Sequence, residues 1–496
     1  MKAWAYQQDQ LPSTHPIVAD NADTNAVRVN FDGITYAKGA SVLKQLVAWV
    51  GRDAFMAGLR GYFRRHEYAN ATLVDFLAAL EQGSGRDLGA WSRQWLETAG
   101  VATLRPDADA DGGSYRSLAV LQEAPARYPT VRPHRLALGL YGGDGGRLAR
   151  RRRLELDVAG ERTPVREADG EAVPDLLLVN DDDLAYAKVR LDERSLATLD
   201  ERLSELEQPL ARALCWGAAW DMTRDAELAT RRWVRLVAAH AARETDISLL
   251  QTLLGQARSA IDRYGDPAHR PAARALLAGR AREELTGAPP GSDAQLVWAR
   301  TWVSAADSAD DLARARALLD GTERVEGLAV DTDLRWHLLT ALAVAGRADA
   351  GAITAEAERD PTDQGARRAA GARAACPDPG AKAAAWRSVL EDPLMPLAMM
   401  RAIVGGFAQH GQEDLLRPYV ERWLDALEHI WAQRSPDIAL LLTEGLYPAT
   451  LLEPATVGVA DRALRLPGVP EPGRRLVLES RDATVRALRA RAADRD

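Results

Sequence analysis

The 496-residue sequence has only two cysteines, Cys215 and Cys376, and they lie far apart. Two distant thiols provide neither the disulfide framework of a small secreted domain nor a cysteine-rich zinc cluster. The sequence also lacks any apolar run approaching the roughly 18 residues of a membrane span. These absences predict a soluble protein of a reducing compartment, the cytoplasm, with no membrane partner.

The first ten residues, MKAWAYQQDQ, contain no apolar core of the kind that signal peptides carry, so none is predicted. The formal net charge of −8 leaves no general excess of basic residues, so nucleic acid is not predicted as a partner. Hydrophobic residues make up 47% of the chain, which is ordinary for a folded protein. The length allows about two to four domains.

Residues 1–102 are predicted to be mostly helical. The segment Ser41–Val50 is strongly apolar, and Thr72 with Asp75 three residues later has the spacing of a capping box at a helix start. Residues 103–188 change to alternating apolar and polar residues with frequent Gly and Pro, which predicts a small antiparallel β-sandwich.

Two polar clusters within residues 103–188 could be functional sites. Arg150–Arg153 is a basic run, but in an acidic protein we interpret it as a solvated edge strand and not as a nucleic-acid site. Asn180–Asp183 offers oxygen ligands but lacks the spacing of an EF-hand, so we interpret it as a turn.

Residues 189–496 are rich in Ala, Leu and Arg and are interrupted by Gly and Pro breaks. This pattern predicts a large, almost wholly helical domain in which helical hairpins stack side by side, like a solenoid. No fixed repeat period is visible, so the array is predicted to be irregular. The fold class predicted for the whole chain is mainly α and multidomain.

The stretch from Phe31 to Ala40 precedes the apolar helix and contains Tyr36. Alone, a Tyr at a helix start beside a Gly is more often a buried packing anchor than a functional group. The surrounding residues favour a functional role for Tyr36. Their order resembles the M1 family of zinc aminopeptidases, in the part of the family's sequence that follows the zinc motif. The motifs of this resemblance are Ala5-Tyr6, Asp9-Gln10-Leu11, Ser13-Thr14-His15-Pro16-Ile17, Phe31-Asp32-x-Ile34-x-Tyr36-x-Lys38-Gly39-Ala40, Phe63, Tyr68-x-Asn70-Ala71-Thr72, Trp91 and Trp95-Leu96-x-Thr98-x-Gly100.

The resemblance implies a function and a fold. Residues 1–102 would be the helical remainder of a thermolysin-like catalytic domain, 103–188 the β-sandwich domain, and 189–496 the C-terminal helical domain that closes over the active site. The substrates would be peptides. Tyr36 would help to stabilise the tetrahedral intermediate, since a phenol hydroxyl is a neutral donor able to bond a developing oxyanion.

The rest of the family's machinery is missing. A zinc aminopeptidase needs His-Glu-x-x-His on a helix, and the nearest approach, His66-Glu67-Tyr68-Ala69-Asn70, has Asn in place of the second His. The Gly-Ala-Met-Glu-Asn segment that binds the substrate's amino group is also absent. We therefore expect that this chain alone binds no catalytic zinc and hydrolyses no peptide at a useful rate, although zinc is the cofactor of the parent family.

Three hypotheses follow. In the first, the chain is the C-terminal portion of a zinc aminopeptidase, with the N-terminal half missing or present as a separate chain. The first region would then expose an apolar surface that includes Phe31 and Tyr36. In the second, the chain is a non-catalytic helical scaffold or peptide-binding protein. The third, an enzyme of unrelated chemistry, has no supporting set of residues.

Overall fold

The computed structural model describes residues 2–19, 31–143 and 147–495. The chain forms two compact units, Met1–Met222 and Thr223–Asp496. The division into three domains at residues 102 and 188 stays a prediction.

Helices dominate the start of the first unit. Thr72 begins one of them: its hydroxyl accepts from the backbone N–H of Asp75, whose carboxylate accepts from the N–H of Thr72, so the predicted capping box is confirmed. Gly85 ends the same helix in the left-handed conformation that favours glycine. The helices are Lys2–Asp9, Gly39–Val50, Arg52–Arg65, Leu73–Ser84 and Gly89–Leu96, with a π-helical turn at Ile34–Lys38.

Two small sheets follow the helices. Their strands are Thr103–Asp111 for β1, Ser114–Glu123 for β2, His134–Gly142 for β3, Ala149–Val158 for β4, Arg162–Pro164 for β5, Leu176–Asp181 for β6 and Lys188–Val189 for β7. One sheet has the strand order β5-β2-β1-β7 and the other β4-β3-β6. All pairs are antiparallel except β1 with β7, which is parallel.

The basic run lies on β4, at the edge of its sheet, as predicted. Arg150 contacts Asp181 and Asp182 at 2.8 Å each, and Arg153 contacts Asp182 at 2.6 Å. Arg152 pairs with Glu171. These arginines are therefore neutralised by acids of their own unit.

The remainder of the chain is helical, which confirms the mainly α fold class. Most of these helices pack on helices one or two places along the chain, and the last helix, Glu471–Ala493, also packs on the turn Ala260–Tyr264. Gly406 permits one close approach, because a Cβ there would lie 2.1 Å from the carbonyl oxygen of Gly371 on a neighbouring helix. The helices are Glu193–Arg202, Pro209–Arg224, Thr230–His240, Ile247–Ser259, Arg270–Gly287, Asp293–Ala305, Ala309–Asp320, Thr332–Val344, Ala350–Arg359, Asp363–Ala375, Pro379–Glu391, Leu397–Phe407, Glu413–Leu416, Tyr419–Gln433, Pro436–Gly445, Pro454–Ala463 and Glu471–Ala493.

Candidate functional site

Tyr36 lies in the middle of the π-helical turn Ile34–Lys38, immediately before the helix Gly39–Val50. Its side chain is 49% exposed and touches Phe31 edge to face, with 5.5 Å between the ring centroids. The alternative that Tyr36 is a buried anchor is therefore wrong. π-Helical turns are rare and occur frequently at functional sites.

Asp32 holds the beginning of this turn. Its Oδ1 accepts the backbone N–H groups of Ile34 at 2.8 Å and Thr35 at 3.2 Å, and its Oδ2 lies 3.0 Å from His15 Nε2. Burial alone would raise the pKa of Asp32, but the hydrogen bond and charge of His15, together with the two N–H groups, hold the pKa below its usual value.

Lys38 holds the end of the turn from inside the protein. Its ammonium lies 2.9 Å from Asp9 Oδ2, and neither side chain is exposed. Burial lowers the pKa of Lys38, and the charge of Asp9 opposes that effect. The pairing of Lys38 with Asp9 could not be predicted from the sequence, where the one local signal is that Lys38 lies among the small residues Ala37, Gly39 and Ala40.

The same aspartate links several elements. Asp9 Oδ1 accepts from the Thr14 hydroxyl at 2.8 Å and from the Gly100 N–H at 2.9 Å, while Oδ2 accepts from the Tyr186 hydroxyl at 3.2 Å. Arg132 is also buried and donates to the Gly100 carbonyl oxygen at 2.9 Å. The turn that carries Tyr36 is thus anchored to the core of its unit.

The residues that the structure describes do not fit a zinc site. Over residues 2–19, 31–143 and 147–495, no three His, Cys, Asp or Glu side chains converge in a way that could hold a metal ion. His66, the nearest approach to a zinc motif, caps the end of the helix Arg52–Arg65. Nor, in the same ranges, is any helix both long and apolar enough to cross a membrane.

Two family models match the chain. The ERAP1-like C-terminal domain matches residues 176–486, and the Peptidase family M1 domain matches residues 1–95. The chain belongs to the M1 peptidase family. Its candidate site lies in the segment matched by the M1 domain, and most of the helical region lies in the segment matched by the C-terminal domain.

Curated relatives agree with the M1 assignment. An aminopeptidase N from Streptomyces lividans is 51% identical over 502 residues, which cover 100% of this chain and 59% of the relative. A glutamyl aminopeptidase from Bos taurus is 38% identical over 101 residues, or 20% of this chain and 11% of the relative. The M1 chain therefore spans about three-fifths of the length of its Streptomyces relative.

A solved structure agrees on the fold. The aminopeptidase A of Legionella pneumophila, determined in complex with aspartic acid, superposes with a TM-score of 0.61 at 13% identity, covering 92% of this M1 chain and 57% of the other. At that identity the likeness concerns the fold alone.

Proposed function

We propose that this chain is the C-terminal portion of a zinc-dependent aminopeptidase that removes N-terminal residues from peptides. It is inactive unless polypeptide outside these 496 residues supplies the zinc-binding groups. In this proposal Tyr36 donates its hydroxyl hydrogen to the oxyanion of the tetrahedral intermediate. The helical region provides the lid over the peptide, and the protein works in the cytoplasm.

The observation that carries the proposal is the placement of Tyr36. The residue occupies the position that the M1 resemblance assigns to the stabilising tyrosine, and its ring is half exposed on a turn that is held at both ends. A neutral donor placed where charge develops stabilises a transition state without the cost of reorganising. A lone donor cannot produce a nucleophile from water, so activity needs further groups.

Exposed apolar side chains support the proposal that another polypeptide segment, which supplies the zinc-binding groups, packs on this chain. Among the described residues, thirteen large hydrophobic side chains are exposed, and ten of them lie between Trp4 and Val74. They include Phe31 and Phe63, each 63% exposed, and Leu43 at 51%. Exposed apolar surface is typical of an interaction site. The occupant we propose is the zinc-binding half, as a separate chain or as an extension of this one.

The test is reconstitution. The purified chain is assayed on alanyl and leucyl anilides with added zinc, alone and mixed with the part of the Streptomyces aminopeptidase N that it does not match. We expect no hydrolysis by the chain alone, and complex formation with recovered hydrolysis in the mixture. No complex and no activity in the mixture would contradict the proposal, as would stoichiometric zinc and activity in the chain alone.

One observation favours the second candidate, a non-catalytic peptide-binding protein. A cavity of about 760 Å³ lies among helices of the second unit, lined mainly by small apolar residues such as Ala370, Ala374 and Ala381. Concave surfaces of helical arrays commonly bind peptides. Peptide binding by the chain alone, independent of added metal, together with failed reconstitution, would favour this candidate.

A further inference from the structure

The geometry points to a positioning pair, His15 and Asp32, that fixes the backbone of the turn carrying Tyr36 and thereby the direction of the Tyr36 hydroxyl. This inference rests on the proposed role of Tyr36 as the oxyanion donor. Neither residue has to touch the substrate to act, so both are positioning residues.

The N–H groups at the start of the turn need acceptors from outside the turn. The first amides of any helical segment lack partners within that segment. Here Asp32 supplies them through its side chain, with Oδ1 accepting from Ile34 and Thr35, and also through its backbone, whose carbonyl oxygen accepts from Tyr36 N at 3.2 Å. One residue thus bonds three consecutive N–H groups, and Tyr36 is the last of them.

His15 has an acceptor facing each of its two ring nitrogens. Its Nε2 faces Asp32 Oδ2 at 3.0 Å, and its Nδ1 faces the carbonyl oxygen of Pro16 at 2.8 Å. A carbonyl and a carboxylate can only accept, so both ring nitrogens donate only when the ring is the charged imidazolium. The side chains of His15 and Asp32 are 15% and 13% exposed, so water screens this charged pair less than a surface pair.

Without the pair of His15 and Asp32, the turn would be held at one end only. The far end is fixed by the buried contact of Lys38 with Asp9. Tyr36, by contrast, is half exposed, and its ring contacts Phe31, which directly precedes Asp32 and is itself 63% exposed. Packing alone therefore holds the ring weakly, and the orientation of Tyr36 depends on the hydrogen bonds of Asp32.

The experiment measures amide hydrogen exchange in the full chain, with Asp75→Ala as the matched control. The Asp75 carboxylate also accepts a backbone N–H, that of Thr72, but at the start of the helix Leu73–Ser84. We expect Asp32→Ala and His15→Ala to speed exchange of Ile34 and Thr35 by about tenfold, as loss of a cap does. Asp75→Ala should leave these amides unchanged, and His15→Gln, which keeps a donor, should restore most of the protection.

The urea midpoint of each variant confirms that it is folded. Unchanged exchange in both Asp32→Ala and His15→Ala would overturn the inference, and so would equal acceleration by the Asp75 control, because the effect would then be a general loosening.

A second readout separates this inference from the proposed function. In the reconstituted mixture, Asp32→Ala should lower kcat about tenfold or more with KM nearly unchanged, since only orientation is lost. In a chain that already carries Tyr36→Phe, adding Asp32→Ala should lower kcat little further. If the mixture has no activity, the proposed function fails while the exchange result still decides whether the pair fixes the turn. If the mixture is active and Asp32→Ala leaves kcat unchanged, the positioning role is overturned.

Discussion

The ammonium of Lys38 lies 2.9 Å from the carboxylate of Asp9, and both side chains are completely buried. Removing one member of a buried ion pair leaves the other charge without compensation. We therefore expect Lys38→Met to lower the free energy of unfolding by about 3–5 kcal/mol, measured by urea denaturation. A double variant that replaces both charges with apolar residues should lose clearly less than the sum of the single changes.

The matched control is a surface pair in the same unit. Arg116 and Asp111 form an ion pair at 2.5 Å, but their side chains are 63% and 64% exposed. Arg116→Gln should therefore change the free energy of unfolding by less than about 1 kcal/mol. If Lys38→Met lowered the free energy of unfolding no more than Arg116→Gln does, the buried pair would not be the anchor of the turn.

Tyr36→Phe separates function from stability. Because the ring is half exposed, losing its hydroxyl should shift the free energy of unfolding by less than about 0.5 kcal/mol. In the reconstituted mixture the same change should lower kcat by about 10²–10³, the usual cost of removing one oxyanion donor. Tyr68→Phe is the control, since Tyr68 is fully exposed and outside the turn. Equal kcat values for the two variants would remove Tyr36 from the mechanism.

Local signals in the sequence were enough to predict the elements that depend on neighbouring residues. The capping pair of Thr72 and Asp75 lies within one helical turn, and the alternation that predicts β4 lies within one strand. The motif around Tyr36 is equally local, so the candidate residue could be found without a structure.

Contacts between distant segments could not be predicted in this way. Asp9 and Lys38 lie in different helical elements, and Arg132, which reaches Gly100, lies just before a strand of the sheet region. No pattern in one segment indicates which other segment will cover it. The parallel pairing of β7 with β1 was missed for the same reason.

The arginines of β4 lead to a prediction about salt-dependent binding. Because Arg150, Arg152 and Arg153 are paired with acids of their own unit, they should offer little free charge to phosphates. We expect no shift of a labelled DNA duplex at low salt in a gel assay. Binding that weakens steeply as salt increases would show that these pairs open readily.

His134 should make the stability of the first unit depend on pH. Its ring is fully buried against Trp95, at 5.2 Å between centroids, and its Nε2 lies 3.2 Å from Gln122 Oε1. That oxygen can only accept, so Nε2 donates, and burial favours the neutral form of the ring. Burial first, and then the charges of Arg132 and Lys2, lower the pKa of His134 to about 3.

The sign of the effect follows from comparing the folded and unfolded states. Below about pH 6.5 the unfolded chain takes up a proton at His134, whereas the folded chain does not until the pH approaches the lowered value. The contribution of His134 is therefore complete above pH 6.5 and falls by up to about 1.4 kcal/mol per unit as the pH decreases. Urea denaturation between pH 7 and 5 should show this fall, and His134→Asn should flatten it while lowering stability at pH 7. An NMR titration of the His134 ring with a midpoint near 6 would contradict the prediction, because a buried neutral ring should not charge in that range.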